Sequence, residues 1–180
     1  TPNDTPTRPQ ALPIVANATP TISVAPTASG ITYGQTLASS TLSSGTASTA
    51  GAFTFTTPST APNAGTATQD VTFTPSDTTN YNATTTTVSV TVAKATPTIT
   101  WATPSSITYG TTLSATQLNA SGSVAGAFTY SPASGTTPNA GTQTLSVGFV
   151  PTDTANYNVV SATTVSLTVG QASQTITFGA

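Results

Sequence analysis

A block of roughly 77 residues that begins ATPTISV at Ala18 returns as ATPTITW at Ala95, and the opening of a third copy, QTITFGA, starts at Gln174. A fixed long period of this kind restricts the chain to a tandem array in which one supersecondary unit is reused. Specific landmarks recur: Ile22 as Ile99 and Ile176, Tyr33-Gly34 as Tyr109-Gly110, Gly51-Ala52-Phe53-Thr54-Phe55 as Gly126-Ala127-Phe128-Thr129-Tyr130. Pro62-Asn63-Ala64-Gly65-Thr66 returns as Pro138-Asn139-Ala140-Gly141-Thr142, and Asp77-Thr78-Thr79-Asn80-Tyr81-Asn82 as Asp153-Thr154-Ala155-Asn156-Tyr157-Asn158. Matched positions lie about 75 to 77 residues apart, so loops absorb small indels while strands are kept. The implied organisation is a Pro/Thr-rich linker or pairing strand over 1–17, one repeat over 18–93, a second over 94–170, and the first strand of a further repeat over 171–180.

Within a repeat the hydrophobic period is two. Val88, Val90 and Val92 alternate with Ser89 and Thr91, Val165, Leu167 and Val169 with Ser166 and Thr168, and Leu145, Val147 and Phe149 with Ser146 and Gly148. Such alternation is the mark of a half-buried strand, with β-branched Thr suited to the outer pleated face. No segment has helical spacing. Turn residues fall between the runs, at Pro104-Ser105-Ser106, Ser121-Gly122, Ser131 to Gly141 and Pro151-Thr152-Asp153. The pattern predicts an all-β fold of two tandem sandwiches, with six or seven short strands each. The expected core of the first repeat is Ile22, Val24, Ile31, Leu37, Leu42, Phe53, Phe55, Val71, Phe73, Val88, Val90 and Val92.

Composition then narrows function. The chain lacks His, Cys, Met and Glu; Asp4, Asp70, Asp77, Asp153, Lys94 and five tyrosines are its titratable side chains of catalytic kind. Acid–base chemistry near neutrality leans on His or a close carboxylate pair. Asp77 and Asp153 occupy the same position in successive repeats, about one domain apart, and cannot form such a pair within one chain. Missing His and Cys argue against zinc and soft metals, and two cationic residues make no nucleic-acid surface. The expectation is therefore a non-enzyme, with no catalytic, cofactor-binding or metal residue assigned and no cofactor. Charged residues are 3% of the chain, against about a quarter usually, so hydroxyls and amides carry solubility and little charge opposes association. No stretch reaches the roughly 20 apolar residues of a membrane helix.

Taken together, TPTITW, ITYGTTL, GAFTYSPASGTTPNAGT, LSVGFVPTDTANYN and ATTVSLTV resemble the bacterial Ig-like repeats strung along large secreted and cell-surface proteins. The resemblance covers about 160 residues. It implies Ig-like β-sandwiches with a structural, spacer or adhesive role outside the cell. The segment Asp153 to Val159 also imitates the antibody tyrosine corner. Only about a dozen residues then remain before Val169, so the segment is placed at the turn before the last strand.

Several residues invite sharper readings. Asp77 and Asp153 lack the neighbouring oxygens calcium needs, and capping of a turn through backbone amides is the expected role. Trp101 could offer a sugar-stacking face, but its counterparts Val24 and Phe178 are ordinary strand residues, which points to core or junction. Tyr33 and Tyr109 are expected to pack their rings and leave the hydroxyl wet or bonded to backbone. Sequons occur at Asn3, Asn17, Asn82 and Asn119, leaving glycan modification on Asn, Thr or Ser open. The expected function is a structural extracellular repeat protein, a stalk, fibre or sheath that self-associates end to end or by strand addition through Leu12 to Ala16 and Gln174 to Ala180. The alternative is an adhesin module whose loops bind a surface glycan or protein.

Overall fold

The structure is a computed structural model describing residues 16–179. It is all-β: strands β1 (Ile22–Val24), β2 (Thr27–Ala28), β3 (Ile31–Thr32), β4 (Leu42–Ser43), β5 (Thr46–Ala47), β6 (Gly51–Phe55), β7 (Gly65–Pro75) and β8 (Thr84–Ala93) form the first repeat. The second comprises β9 (Ile99–Thr100), β10 (Ile107–Thr108), β11 (Ser121–Gly122), β12 (Gly126–Ser131), β13 (Gly141–Pro151) and β14 (Val160–Gly170). The helical content among the described residues is one 3-10 turn, Leu37–Ser39.

Each repeat is built on one four-stranded sheet, ordered β3-β8-β7-β6 in the first and β10-β14-β13-β12 in the second. In both, the short edge strand runs parallel to the last long strand, with Ile31 opposite Val92 and Ile107 opposite Val169. Short antiparallel ladders supply the other layer: β1 with β5 and β2 with β4 in the first repeat, β9 with β11 in the second. In the second repeat Trp101, Leu113 and Leu118 from that layer share one core with Leu145, Val147, Leu167 and Val169 from the sheet. Such a two-layer arrangement with alternating inward side chains is an Ig-like sandwich.

Among the described residues two compact units can be distinguished: 16–29 with Leu37–Thr60 and Ala67–Val90, and Gly30–Thr36 with Ala61–Thr66 and 91–179. Why the Tyr-Gly landmark recurs is visible in the backbone. Gly34 and Gly110 adopt φ of 92° and 98°, a region where a Cβ is strongly disfavoured. The Asp77 and Asp153 turns each lie before the last long strand, as the residue count predicted.

The expected core is mostly buried: Ile31, Leu37, Phe55, Val71, Phe73, Val88, Val90 and Val92. Four positions differ. Ile22, Leu42 and Phe53 are half-buried, since they belong to two-residue or three-residue ladders or to the edge strand β6, which neighbours cover incompletely. Val24 is 52% exposed, because the ladder register slips between Ile22 and Val24 and a one-residue slip turns a side chain to the opposite face. Ser121-Gly122, expected as a turn, is a strand paired with Thr100 and Ile99; the Gly lets the Phe149 ring approach closely. The first repeat has eight strands rather than six or seven, the extra ones being two-residue ladders too short to show a period.

At the ends, the expected strand from Gln174 has no ladder partner through Gly179 and forms no strand, leaving Ile176 and Phe178 exposed. A strand is defined by its pairing, and none is offered among the described residues. The pairing segment proposed for Leu12 to Ala16 lies, up to Val15, outside the described residues, as do Asn3 and Asp4.

Candidate functional site

The recurring Asp-Thr-X-Asn-Tyr-Asn segment is the most organised polar feature of each repeat, and it does the same job twice. Asp77 Oδ1 accepts the N–H groups of Thr79 and Asn80, each at 3.1 Å, and Asn80 Nδ2 donates to Asp77 Oδ2 at 2.8 Å. A carboxylate bonded to its own following amides closes an Asx-type turn. The matching turn in the second repeat has Asn156 N–H donating to Asp153 Oδ1 at 3.1 Å and Asn156 Nδ2 to Asp153 Oδ2 at 2.8 Å. The Asn80 amide, then the Asn80 backbone N–H, holds the Asp77 carboxyl below the usual carboxylate range. The Asn156 amide does the same for Asp153, with a smaller pull from Lys94.

Each turn then latches the segment that leads into its own repeat. Ala18 N–H donates to the Asn80 carbonyl at 2.8 Å and Asn82 N–H to the Ala18 carbonyl at 2.9 Å. Asn82 Nδ2 reaches the Asn17 carbonyl at 3.3 Å, and Asn17 Nδ2 the Thr78 carbonyl at 3.4 Å. In the second repeat Ala95 N–H donates to the Asn156 carbonyl at 3.0 Å and Asn158 N–H to the Ala95 carbonyl at 2.8 Å. Asn158 Nδ2 donates to Thr96 Oγ1 at 3.0 Å, and Lys94 Nζ to the Thr154 carbonyl at 2.6 Å. The lone lysine thus helps pin the leading segment.

Chemically this arrangement is a latch. The carboxylate oxygens are engaged by amides, and among the described residues no three His, Cys, Asp or Glu side chains gather as metal ligands. Among the described residues the sequon amides are engaged as well: those of Asn17 and Asn82 bridge turn and leading segment, and Asn119 Nδ2 donates to the Thr116 carbonyl at 3.2 Å. Trp101 is a core residue: 9% exposed, its ring edge-on to Tyr130 at 5.4 Å and its Nε1–H donating to the Gln117 carbonyl at 3.0 Å. Tyr109 is 51% exposed, so its ring packs less than expected. The roles of Asn80, Asn82, Asn156 and Asn158 went unassigned in the sequence, where they are parts of a repeated motif; its conserved order of Asp, Asn and Asn between the two copies was the available signal.

No protein-family model matches the chain, and no curated protein is significantly similar to it. Among solved structures, the fibronectin(III)-like modules of Clostridium thermocellum CbhA align with 17% identity and a TM-score of 0.31, over 89% of this chain and 99% of that one. The sandwich assignment rests on the strand pairing above and not on this likeness. No helix among the described residues is long and apolar enough to cross a membrane.

Proposed function

We propose that this chain is a structural repeat protein of the bacterial cell exterior, a length of Ig-like sandwiches that serves as stalk, fibre or sheath material and associates with itself. The observation that carries the reading is the duplicated latch. In both repeats the Asp and Asn side chains of the turn are spent on one another and on the chain's own backbone, which is what a building block requires and a catalyst does not. The near absence of charge supports it, since neighbouring copies repel one another weakly. The likeness to bacterial Ig-like surface repeats, carried by Asp153 to Asn158 and the other matched segments, supports an extracellular setting.

The test pairs two measurements on the same chain. Sedimentation velocity over a wide concentration range should show reversible self-association, and a broad glycan array should show no saturable ligand. A chain that stays monomeric while binding one glycan class saturably would reverse the reading in favour of an adhesin.

A further inference from the structure

The four-stranded sheet of each repeat ends on an open strand, β6 in the first and β12 in the second. The register shows which of their backbone groups stay unspent. Thr152 N–H donates to the Ala125 carbonyl at 2.9 Å, and the pairing then runs unbroken from Gly126 opposite Pro151 to Ser131 opposite Ser146. Residues facing each other across an antiparallel pair alternate between exchanging both hydrogen bonds and exchanging none. Ala127, Thr129 and Ser131 therefore bond to β13, while Gly126, Phe128 and Tyr130 turn their N–H and C=O groups to the open side. In the first repeat Ser76 N–H donates to the Ala50 carbonyl and Thr56 N–H to the Asp70 carbonyl, each at 2.9 Å, which turns the groups of Gly51, Phe53 and Phe55 outward in the same way. Among the described residues no backbone hydrogen bond uses these outward groups. β6 lies in a repeat that has a successor and β12 in one that has a predecessor, and both remain edges. The open edge is a property of the repeat and not of its place in the array.

An edge strand is normally guarded against pairing by Lys, Pro, an inward charge or a bulge. β12 reads Gly126-Ala127-Phe128-Thr129-Tyr130-Ser131, with no charge, no Pro and no break in its register. Its outer face carries exposed Ala127, Thr129 and Ser131, and its core face carries Phe128 and Tyr130, both only half-buried. β6 is the poorer edge. It has five residues against six in β12, and its last outward-turned residue, Phe55, is already buried.

We propose that β12 pairs antiparallel with β12 of a second copy of this chain, about a two-fold axis at Phe128. Phe128 exchanges both hydrogen bonds with its own copy, and Gly126 with the Tyr130 of the copy, giving about six backbone bonds in all. The outward groups are spaced symmetrically about Phe128, so the strand is complementary to itself, as an isologous contact requires. On the core face Phe128 stands opposite its own copy, a favourable cross-strand aromatic pair, and Gly126 brings no side chain against the Tyr130 it faces. On the outer face Ala127 lies opposite Thr129, with no charge on either. The strand is already held extended by β13, so little conformational freedom is lost on pairing. The proposal deepens the structural reading above and rests on it, naming the strand by which neighbouring copies join side by side.

The experiment is sedimentation velocity on the intact chain and two double variants, Ala127→Lys with Thr129→Lys and Ala127→Glu with Thr129→Glu, with far-UV circular dichroism to check that each stays folded. Both side chains are exposed, and the substitutions leave their backbone bonds to β13 in place. The intact chain should associate with rising concentration. Each variant should associate at least about tenfold more weakly, because like charges then face each other at both outer pairs. Mixed in equal amounts, the two variants should form a 1:1 dimer, since every facing pair is then Lys against Glu. Hydrogen exchange on the intact chain reads the register. The Phe128 and Tyr130 amides should gain protection as concentration rises, while those of Ala127 and Thr129, already bonded to β13, stay protected throughout. An intact chain that stays monomeric, a mixture no better than its components, or associated chains whose Phe128 and Tyr130 amides exchange as fast as in the monomer would overturn the joint. Association that survives both double substitutions would also overturn it while leaving the structural reading standing; that reading falls only to the monomeric, glycan-binding outcome described above.

Discussion

The same position in the two repeats should respond to truncation to very different degrees, because it is buried in one and exposed in the other. Trp101 is 9% exposed, meets Tyr130 edge-on at 5.4 Å and donates to the Gln117 carbonyl. Trp101→Val, which installs the residue of the other repeat, empties most of that volume. It also leaves the Gln117 carbonyl without its donor. Buried Trp truncated to Ala costs about 3–5 kcal/mol; Val refills a part, so about 2–4 kcal/mol is expected, including the orphaned acceptor. For a unit of this size each kcal/mol moves the melting temperature by about 4–8 °C, so the second repeat should melt about 8–32 °C lower. Val24 is 52% exposed, and Val24→Ala should fall within about 0.5 kcal/mol of the parent. Thermal and urea unfolding followed by far-UV circular dichroism measures both. The intact chain's single tryptophan adds a fluorescence signal specific to the second repeat. A Trp101→Val loss under about 1 kcal/mol, or a Val24→Ala loss equal to it, would refute the reasoning.

Three further outcomes follow from the same geometry. A Cβ at Gly51 would run into the Phe73 ring and the Thr74 carbonyl, and one at Gly126 into Phe149 and the Val150 carbonyl. Gly51→Ala and Gly126→Ala should therefore each cost about 1–3 kcal/mol, measurable by urea titration; neutral substitutions would mean the sheet relaxes freely there. Asp77 and Asp153 have folded pKa values below the ordinary one, so their contribution is complete above about pH 4 and lost as pH falls through the depressed values. Melting temperatures from pH 5 to 2 should fall less steeply in an Asp77→Asn, Asp153→Asn double variant, and equal slopes would remove the carboxylates from the latch. Asn158→Ala removes the bond to Thr96 and should speed hydrogen exchange at the Ala95 amide, with the β13 and β14 amides unchanged; uniform acceleration would indicate global destabilisation instead.

The long strands were legible in the sequence because their signal is physical and repeated: Val88, Val90 and Val92 face one way and Ser89 and Thr91 the other, and a single register satisfies them all. The two-residue ladders were not. Ser121-Gly122 carries turn composition, and only its pairing with Ile99 and Thr100 makes it a strand. Val24 failed as a core residue because a bulge, invisible in the hydrophobic pattern, turned it outward. The Asx turns of Asp77 and Asp153 were readable, since a short acid before backbone amides has a strong local preference. What they hold was not, because the bonds from Asn82 to Asn17 and from Asn158 to Thr96 join residues more than 60 positions apart, and no local rule encodes such a distance.

Electron microscopy of the native, full-length protein tests the central claim most directly. A structural repeat protein should appear as extended or laterally packed assemblies with a regular repeat along their length. Dispersed single molecules at native abundance, with no stalk, filament or sheath, would contradict it.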